Sequence, residues 1–429
     1  MFELILLLSI FLLLLFFGVP VATAMLFSSI INIFYIGLPP ILVAERLLGS
    51  VNSFPLLAVP FFIFAGVIMN KGGLTLRLVD VSRAFVGHFH GGTAQVNVLA
   101  SIFFSGISGS ASADASAIGS MLIPTMKKEG YDAGFSVGIT AASATIGPII
   151  PPSVVMVIYS AMTNMSIASL FLAGIVPGLA IGLSLMIIVS IISRIKGYPR
   201  QEKMLWKLRI FAIWNALPAL FAPIIIIGGI MSGLYTATEA GVVACVYGLI
   251  IGIFVYKEIK LKDFKNLLGE AVETAAIPIF ILASASIFGW LLTFHGLGDL
   301  LVDFLFALNL NKISLLFVIV VILFLIGLVI EGLAALIIFV PVFMPLIPAF
   351  DLNPLHFALI IIITILIGTV TPPVGLQLYI ASAIGKTRLS EVVVWPFIFA
   401  MIAVVFLIIV FPEITIFIPK YFLNPEFNS

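Results

Sequence analysis

A chain of 429 residues that is 62% hydrophobic and only 9% charged, with a mean hydropathy of +1.31, carries more apolar surface than a water-soluble domain can hide. It is expected to be an all-α polytopic membrane protein, and a net charge of +1 scattered over short loops argues against a nucleic-acid partner. The single cysteine, Cys245, lies in an apolar helix beside Val243 and Ala244, which excludes a disulfide framework and a cysteine metal site.

In chain order, the first 17 residues are apolar, carry Glu3 and lack a basic leader, and the run continues beyond Gly18-Val19-Pro20. This predicts a retained helix and a mature N-terminus rather than a cleaved signal peptide. Spans are expected over 4–36, 55–70, 133–162, 167–193, 210–232, 235–256, 277–294, 354–384 and 391–418. Residues 92–126 and 312–348 differ: each holds two apolar arms of about 15 residues around a Gly-containing polar tip, too short per arm for a ~30 Å hydrocarbon core. Both are expected to be re-entrant hairpins. Segments 72–90 and 259–275 are amphipathic and basic, and are expected as arms along the membrane surface.

Threaded through this topology, seventeen of the twenty Lys and Arg fall on one side, in the stretches 71–83, 127–128, 194–209, 257–265 and 386–388; Arg46, Lys312 and Lys420 fall on the other. The basic side is expected to be cytoplasmic, with the N-terminus inside and the C-terminus periplasmic in a multi-pass inner-membrane protein.

The chain repeats itself. Gly147-Pro148-Ile149-Ile150-Pro151-Pro152 and Gly368-Thr369-Val370-Thr371-Pro372-Pro373 share a Gly-x-x-x-Pro-Pro spacing at an offset of 221 residues, kept by Pro124 and Pro345. Pro60-Phe61-Phe62-Ile63-Phe64-Ala65 resembles Pro278-Ile279-Phe280-Ile281-Leu282-Ala283, and Gly73-Leu74 leading to Leu78-Val79-Asp80 resembles Gly298-Asp299-Leu300 leading to Leu301-Val302-Asp303. The charge threading gives the halves opposite orientations, so two inverted-topology repeats are expected, as in secondary transporters with a midplane site. Four parts follow: 1–90, scaffold half 1 with an arm; 91–195, transport half 1 with hairpin 92–126 and broken helix 133–162; 196–308, cytoplasmic linker and scaffold half 2; and 309–420, transport half 2 with hairpin 312–348 and broken helix 354–384.

Chemistry concentrates at the tips and breaks. Between Phe104 and Ser116, hydroxyls at 105, 108, 110, 112 and 116 surround Asp114 and cover more than one helical face, unlike a packing stripe. The 221 offset carries Gly109-Ser110 onto Ile330-Glu331, placing the two tips opposite one another. Each Pro-Pro pair removes two backbone donors, so helices 133–162 and 354–384 must unwind near Gly147 and Gly368 and free their carbonyls. Carbonyls, hydroxyls and a carboxylate suit Na⁺, with about two or more ions per cycle. One site would use Ser108, Gly109, Ser110 and Asp114 with Thr145, Gly147 and Pro148; the other Gly327, Glu331 and Gly332 with Gly368, Thr369 and Thr371. An anionic substrate would meet Ser110, Ser112, Asp114, Ser153 and Gly332 at the returning half-helix N-termini.

Other polar features have structural explanations. Gly174-x-x-x-Gly178-x-x-x-Gly182 and Gly248-x-x-x-Gly252 suit close helix packing, and Thr236-Ala237-Thr238-Glu239 is a capping box. Helix capping is the plainer role for Asp114 and Glu331. His88 and His90 cannot share a helix face, and His295 and His356 are isolated, which argues against a metal site.

The serine-rich hairpin 105–115, the Gly-Pro-Ile-Ile-Pro-Pro-Ser break at 147–153 and the Gly-Thr-Val-Thr-Pro-Pro break at 368–373 together resemble the large membrane subunit of tripartite ATP-independent periplasmic (TRAP) transporters, over essentially the whole chain. The resemblance implies a non-enzyme: Na⁺-driven uptake of an organic acid anion, delivered by a periplasmic substrate-binding protein, with a small four-helix membrane subunit bound to the scaffold. It also implies an elevator mechanism, with hairpins and broken helices moving as a body. The chain looks closest to members handling sialic acid, though no residue decides between that and a C4-dicarboxylate. The alternatives are an ion channel or ion-coupled antiporter working without a binding protein. An intramembrane protease would need a catalytic dyad on spanning helices, whereas both carboxylates lie in hairpins.

Overall fold

The computed structural model describes residues 2–328 and 330–423, and its regular structure there is helical throughout. Residue 1 of the expected first part and residue 329 of the expected second hairpin lie outside the described residues.

The first departure from expectation is at the start. Residues 4–36 form two helices, α1 (Phe2–Phe16) and α2 (Val21–Tyr35), rather than one span. Gly18 takes a left-handed φ of +77°, and Pro20, which has no N–H to donate, precedes α2, so the chain reverses. Asn32 Nδ2 then donates to the Glu3 carbonyl at 2.8 Å, and the Phe2 and Tyr35 ring centroids lie 5.8 Å apart.

Next come α3 (Ile41–Val51), α4 (Ala58–Lys71) after a 3-10 turn, and a short amphipathic arm α5 (Leu74–Val86). The first hairpin is α6 (Gly92–Ser108) and α7 (Ala111–Lys128). The first broken helix is α8 (Ala133–Ala144) and α9 (Val154–Thr163), followed by the continuous α10 (Ile167–Lys196). Two long helices, α11 (Trp206–Met231) and α12 (Ala237–Ile250, extended by a π turn to Val255), connect the halves.

The second half repeats the order: α13 (Phe264–Phe294), arm α14 (Leu297–Ala307), hairpin α15 (Lys312–Gly327) and α16 (Gly332–Phe343), and a short α17 (Leu346–Ala349). The second broken helix is α18 (Pro354–Gly368) and α19 (Leu376–Gly385), before the bent pair α20 (Trp395–Val410) and α21 (Glu413–Phe422). Four helices among the described residues are long and apolar enough to cross a membrane, or six if the bent pairs α3–α4 and α20–α21 count as spans.

Segment 259–275 is not a separate surface arm. Buried Leu267, Ala271, Ala275, Pro278 and Leu282 form one stripe at three- and four-residue spacing, so the basic stretch runs without a break into α13. The repeat register at the arms also shifts. Gly73 and Gly296, both left-handed at φ +80° and +73°, begin α5 and α14, so Gly296 and not Gly298 is the counterpart of Gly73. The arm offset is therefore 223, which Leu78-Val79-Asp80 and Leu301-Val302-Asp303 share.

Side-chain contacts sort the loops to two ends. At one, Arg77 meets Glu258, Lys196 meets Asp132, and Lys127 Nζ donates to the Gly385 carbonyl. At the other, Lys312 meets Asp351, Arg46 stacks over Trp290, and His356 bonds Thr415. His295 is hydrogen-bonded to Asn32, which holds Glu3, so the N-terminal residues sit at the second end. The α1–α2 reversal thus removes the crossing that put the N-terminus with the basic loops.

Candidate functional site

Each hairpin tip is seated on the break of its own half. At the first, Gly109 is left-handed at φ +59° and Ser110 is extended, turning the chain into α7. The Ser110 hydroxyl accepts from the Ala113 amide at 3.4 Å and lies 3.1 Å from the Ser112 hydroxyl; Ser108 Oγ accepts from the Ser110 amide at 3.5 Å. A side chain at Gly109 would strike the Pro152 carbonyl, and one at Gly147 would lie 3.1 Å from the Ser110 carbonyl oxygen. Tip and break therefore meet backbone to backbone. The break itself is tied by Ser153, whose hydroxyl donates to the Pro148 carbonyl at 2.5 Å and accepts from Met156 N at 3.2 Å, capping α9. Gly174, Gly178 and Gly182 of α10 present no side chain to Ile149, Ile150 and Ile102, so the glycine stripe is the bed on which this break rests.

The second tip follows the same plan with other residues. A Cβ at Gly327 would lie 2.9 Å from Gly368 Cα, and one at Gly332 would strike the Thr369 methyl. Glu331 occupies the position of Ser110: its carboxylate caps α16, accepting from the Ala334 amide at 3.1 Å. Thr369 and Thr371 hydroxyls donate back to the carbonyls of Leu366 and Ile367, at 2.6 and 2.9 Å. Both Pro-Pro bonds, 151–152 and 372–373, are cis. The halves interlock, α7 packing on α19 and α16 on α9.

Not all of the expected set converges. Gly109, Ser110, Gly147, Pro148 and Ser153 come together, with Ser108 and Ser112 beside them. The Thr145 hydroxyl bonds Ala142 O and faces Met401 of α20 instead. Asp114 is fully buried one turn inside α7, and it is Ser110, not Asp114, that caps the helix. Asp114 Oδ1 accepts from Ser101 Oγ at 3.0 Å, while Oδ2 has no partner among the described residues. Behind it, Ser101 lies 3.2 Å from Ser143, Ser143 donates to Asn97 at 2.9 Å, and Asn97 donates to Thr140 at 2.6 Å. This buried chain joins α6, α7 and α8. Its members on α6 and α8 were not anticipated, although Asn97, Ser101 and Ser105 recur every four residues on α6, and Ser136, Thr140 and Ser143 share a face of α8. A second unanticipated group is Gln377 at the start of α19, buried, with its side-chain carbonyl unpaired among the described residues.

A glycine-seated tip on a cis-proline break, twice in one chain, invites comparison with known proteins. The sialic acid TRAP transporter large permease protein SiaM of Vibrio cholerae is 38% identical over 414 residues, 96% of this chain and 97% of that protein. The 2,3-diketo-L-gulonate TRAP transporter large permease protein YiaN of Escherichia coli is 35% identical over 95% and 96% of the two chains. The C4-dicarboxylate TRAP transporter large permease protein DctM of Pseudomonas aeruginosa is 36% identical over 88% and 89%. Among solved structures, the Alcanivorax borkumensis YdaH transporter, whose crystal structure revealed an unusual topology, superposes with a TM-score of 0.63 at 15% identity, covering 85% and 86% of the two chains, and shares the fold. Residues 8–414 match the family model of the tripartite ATP-independent periplasmic transporter DctM component, and the chain belongs to that family.

Proposed function

We propose that this chain is the large inner-membrane permease subunit of a Na⁺-driven transporter that takes up an organic acid anion delivered by a periplasmic binding protein. A small four-helix membrane subunit would bind its scaffold. The observation that carries the reading is the pair of tip-on-break assemblies in inverted halves, each concentrating backbone oxygens, hydroxyls and a carboxylate inside an apolar bundle.

Na⁺ fits the donor set as cargo. Carbonyl oxygens crowd the first tip, and the unpaired oxygen of Asp114 lies one turn behind it. Ser110 and Ser112 at the start of α7 would hold the carboxylate of the anion, while Ser153, whose hydroxyl is spent on Pro148, keeps the break in shape. Ion binding that orders a tip raises anion affinity, and the coupling must run equally in reverse. The relatives handle sialic acid, a C4-dicarboxylate and 2,3-diketo-L-gulonate at similar identity, so the substrate is named by class, with sialic acid and C4-dicarboxylates tried first. The basic end faces the cytoplasm, which places the described N-terminal residues on the periplasmic side.

The test is uptake into proteoliposomes holding the permease and its small subunit, with and without a Na⁺ gradient and the binding protein. Uptake should require both and be abolished in Asp114→Ala and in Ser110→Ala. Wild-type uptake by both variants sinks the site; uptake without Na⁺ or binding protein sinks the coupling and favours an antiporter or channel.

A further inference from the structure

The buried polar chain behind Asp114 does not belong to the repeat. Asn97 and Ser101 on α6, Asp114 on α7, and Thr140 and Ser143 on α8 are each at most 1% exposed. At the 221-residue offset their counterparts in the second half are Val318, Ile322, Ala335, Ile361 and Thr364. Four of the five are apolar, and the hydroxyl of Thr364 has no partner among the described residues. The second half thus builds the same hairpin and broken helix with aliphatic side chains at these places, so the fold does not require the polar chain. Polar groups buried in an apolar bundle are costly to keep without a use.

The hydrogen bonds show what the chain is arranged to do. Thr140 donates to the Ser136 carbonyl at 2.8 Å, and Asn97 donates to Thr140. Ser143 has two acceptors, Asn97 Oδ1 at 2.9 Å and the Thr140 carbonyl at 3.2 Å. The single hydroxyl hydrogen of Ser101 faces Ser143 Oγ at 3.2 Å and Asp114 Oδ1 at 3.0 Å, and the carboxylate is the nearer and stronger acceptor. The chain is therefore anchored on the α8 backbone and ends on one carboxylate oxygen. Gly119 lets α7 lie close to α8 here, since a Cβ on it would stand 3.1 Å from the Thr140 methyl. With Oδ1 held and Oδ2 unpaired among the described residues, the carboxylate keeps one oxygen to give.

We propose that Ser101, backed by Ser143 and Asn97, is a positioning residue that holds the Asp114 carboxylate by Oδ1 and so presents Oδ2 to the cation of the first tip. The equivalent places of the second half carry no such chain, so the two ion sites are unequal, the first being the one with a fixed carboxylate. The inference rests on Asp114 being an ion ligand, as proposed above. Outer partners of this kind contribute about tenfold or more to metal affinity.

The test is the melting temperature of the purified full chain as NaCl replaces choline chloride at constant ionic strength. The Na⁺ concentration at half of the rise reports affinity without any transport. Ser101→Ala should need about tenfold more Na⁺ than the parent. Ser101→Thr, which keeps the hydroxyl, should recover most of that loss. Asn97→Leu should shift the midpoint in the same direction by less, since Thr140 and Ser143 keep backbone acceptors. Asp114→Asn, which removes the ligand itself, should shift it furthest. A merely structural chain would lower melting in choline and leave the Na⁺ midpoint in place. That result in Ser101→Ala, or in Asn97→Leu should Ser101→Ala not fold, together with a shifted midpoint in Asp114→Asn, overturns this inference alone. A parental midpoint in Asp114→Asn overturns the ion-site reading, and the inference with it.

Discussion

Asp114 and Glu331 look alike in the sequence, single carboxylates in apolar hairpins, yet they do different work. Glu331 caps α16, as Ser110 caps α7, so Glu331→Ala and Ser110→Ala should each cost about 1 kcal/mol of stability. Asp114 spends one oxygen on Ser101 and keeps the other free. Asp114→Asn retains an acceptor for Ser101 and almost the same volume, so it should melt close to wild type while losing Na⁺ stimulation of uptake. Asp114→Ala, by contrast, leaves the Ser101 hydroxyl without that acceptor and should cost about 1–3 kcal/mol. Thermal melting together with Na⁺-dependent uptake separates the two effects; an Asn variant with full Na⁺ stimulation removes Asp114 from the ion site. The cap at Glu331 was legible because capping is local and written within four residues, whereas at the first tip the same signal pointed to Asp114 and the cap is Ser110. The Asn97–Thr140–Ser143–Ser101 chain was not legible, because it exists only once α6, α7 and α8 are packed.

At the scale of elements, Pro-Pro pairs and left-handed glycines mark breaks and turns through the backbone alone, and both broken helices and both hairpins fall where they were expected. The errors arose where a local signal had two readings. Gly18-Val19-Pro20 could kink one long helix or reverse it, and the pairing of Phe2 with Tyr35 and of Asn32 with Glu3 decides for reversal. The loop after α10 was expected only as a linker, but it is a strap across the base of the first hairpin. Tyr131 Oη donates to Pro199 O at 3.0 Å, Gln201 reaches Thr93 at 3.1 Å, and Gln201 N donates to Gly87 O at 3.0 Å. Tyr198 Oη donates to Asp132 at 2.7 Å, with Lys196 3.3 Å away, and this hydrogen bond foremost holds Asp132 below its ordinary 3.8. A depressed carboxylate contributes its stability above the ordinary value and loses it as pH falls through the lowered one. Protection against hydrogen exchange over 197–205, taken relative to the intrinsic rate at each pH, should therefore fall as the pH drops below the usual carboxylate range, and Asp132→Asn should show that lower protection already at neutral pH. A strap equally protected in the variant and the parent at neutral pH would mean that Asp132 does not hold it.

For the molecule as a whole, the inverted repeat makes a mechanical demand. Hairpins and broken helices interlock across the two halves through α7–α19 and α16–α9, and the elevator mechanism expected above requires them to move as one body against a frame of α4, α11, α12 and α13. On that reading the boundary would run through an apolar gap of about 60 Å³, where Ile158 of α9 faces Leu56, Pro60 and Leu282. A loosely filled apolar seam is what a sliding contact needs, since polar bonds across it would have to break at each stroke. The single cysteine, buried with its thiol on the Phe61 carbonyl, can be removed as Cys245→Ser to give a clean background. In that background, Ile158→Cys with Leu56→Cys places two thiols on the same gap, and a short cleavable bis-maleimide should join body to frame. Na⁺-driven uptake should stop on cross-linking and return when the linker is cut. Full uptake by the cross-linked protein would show that the body does not slide past the frame, leaving the tips to gate the site by themselves.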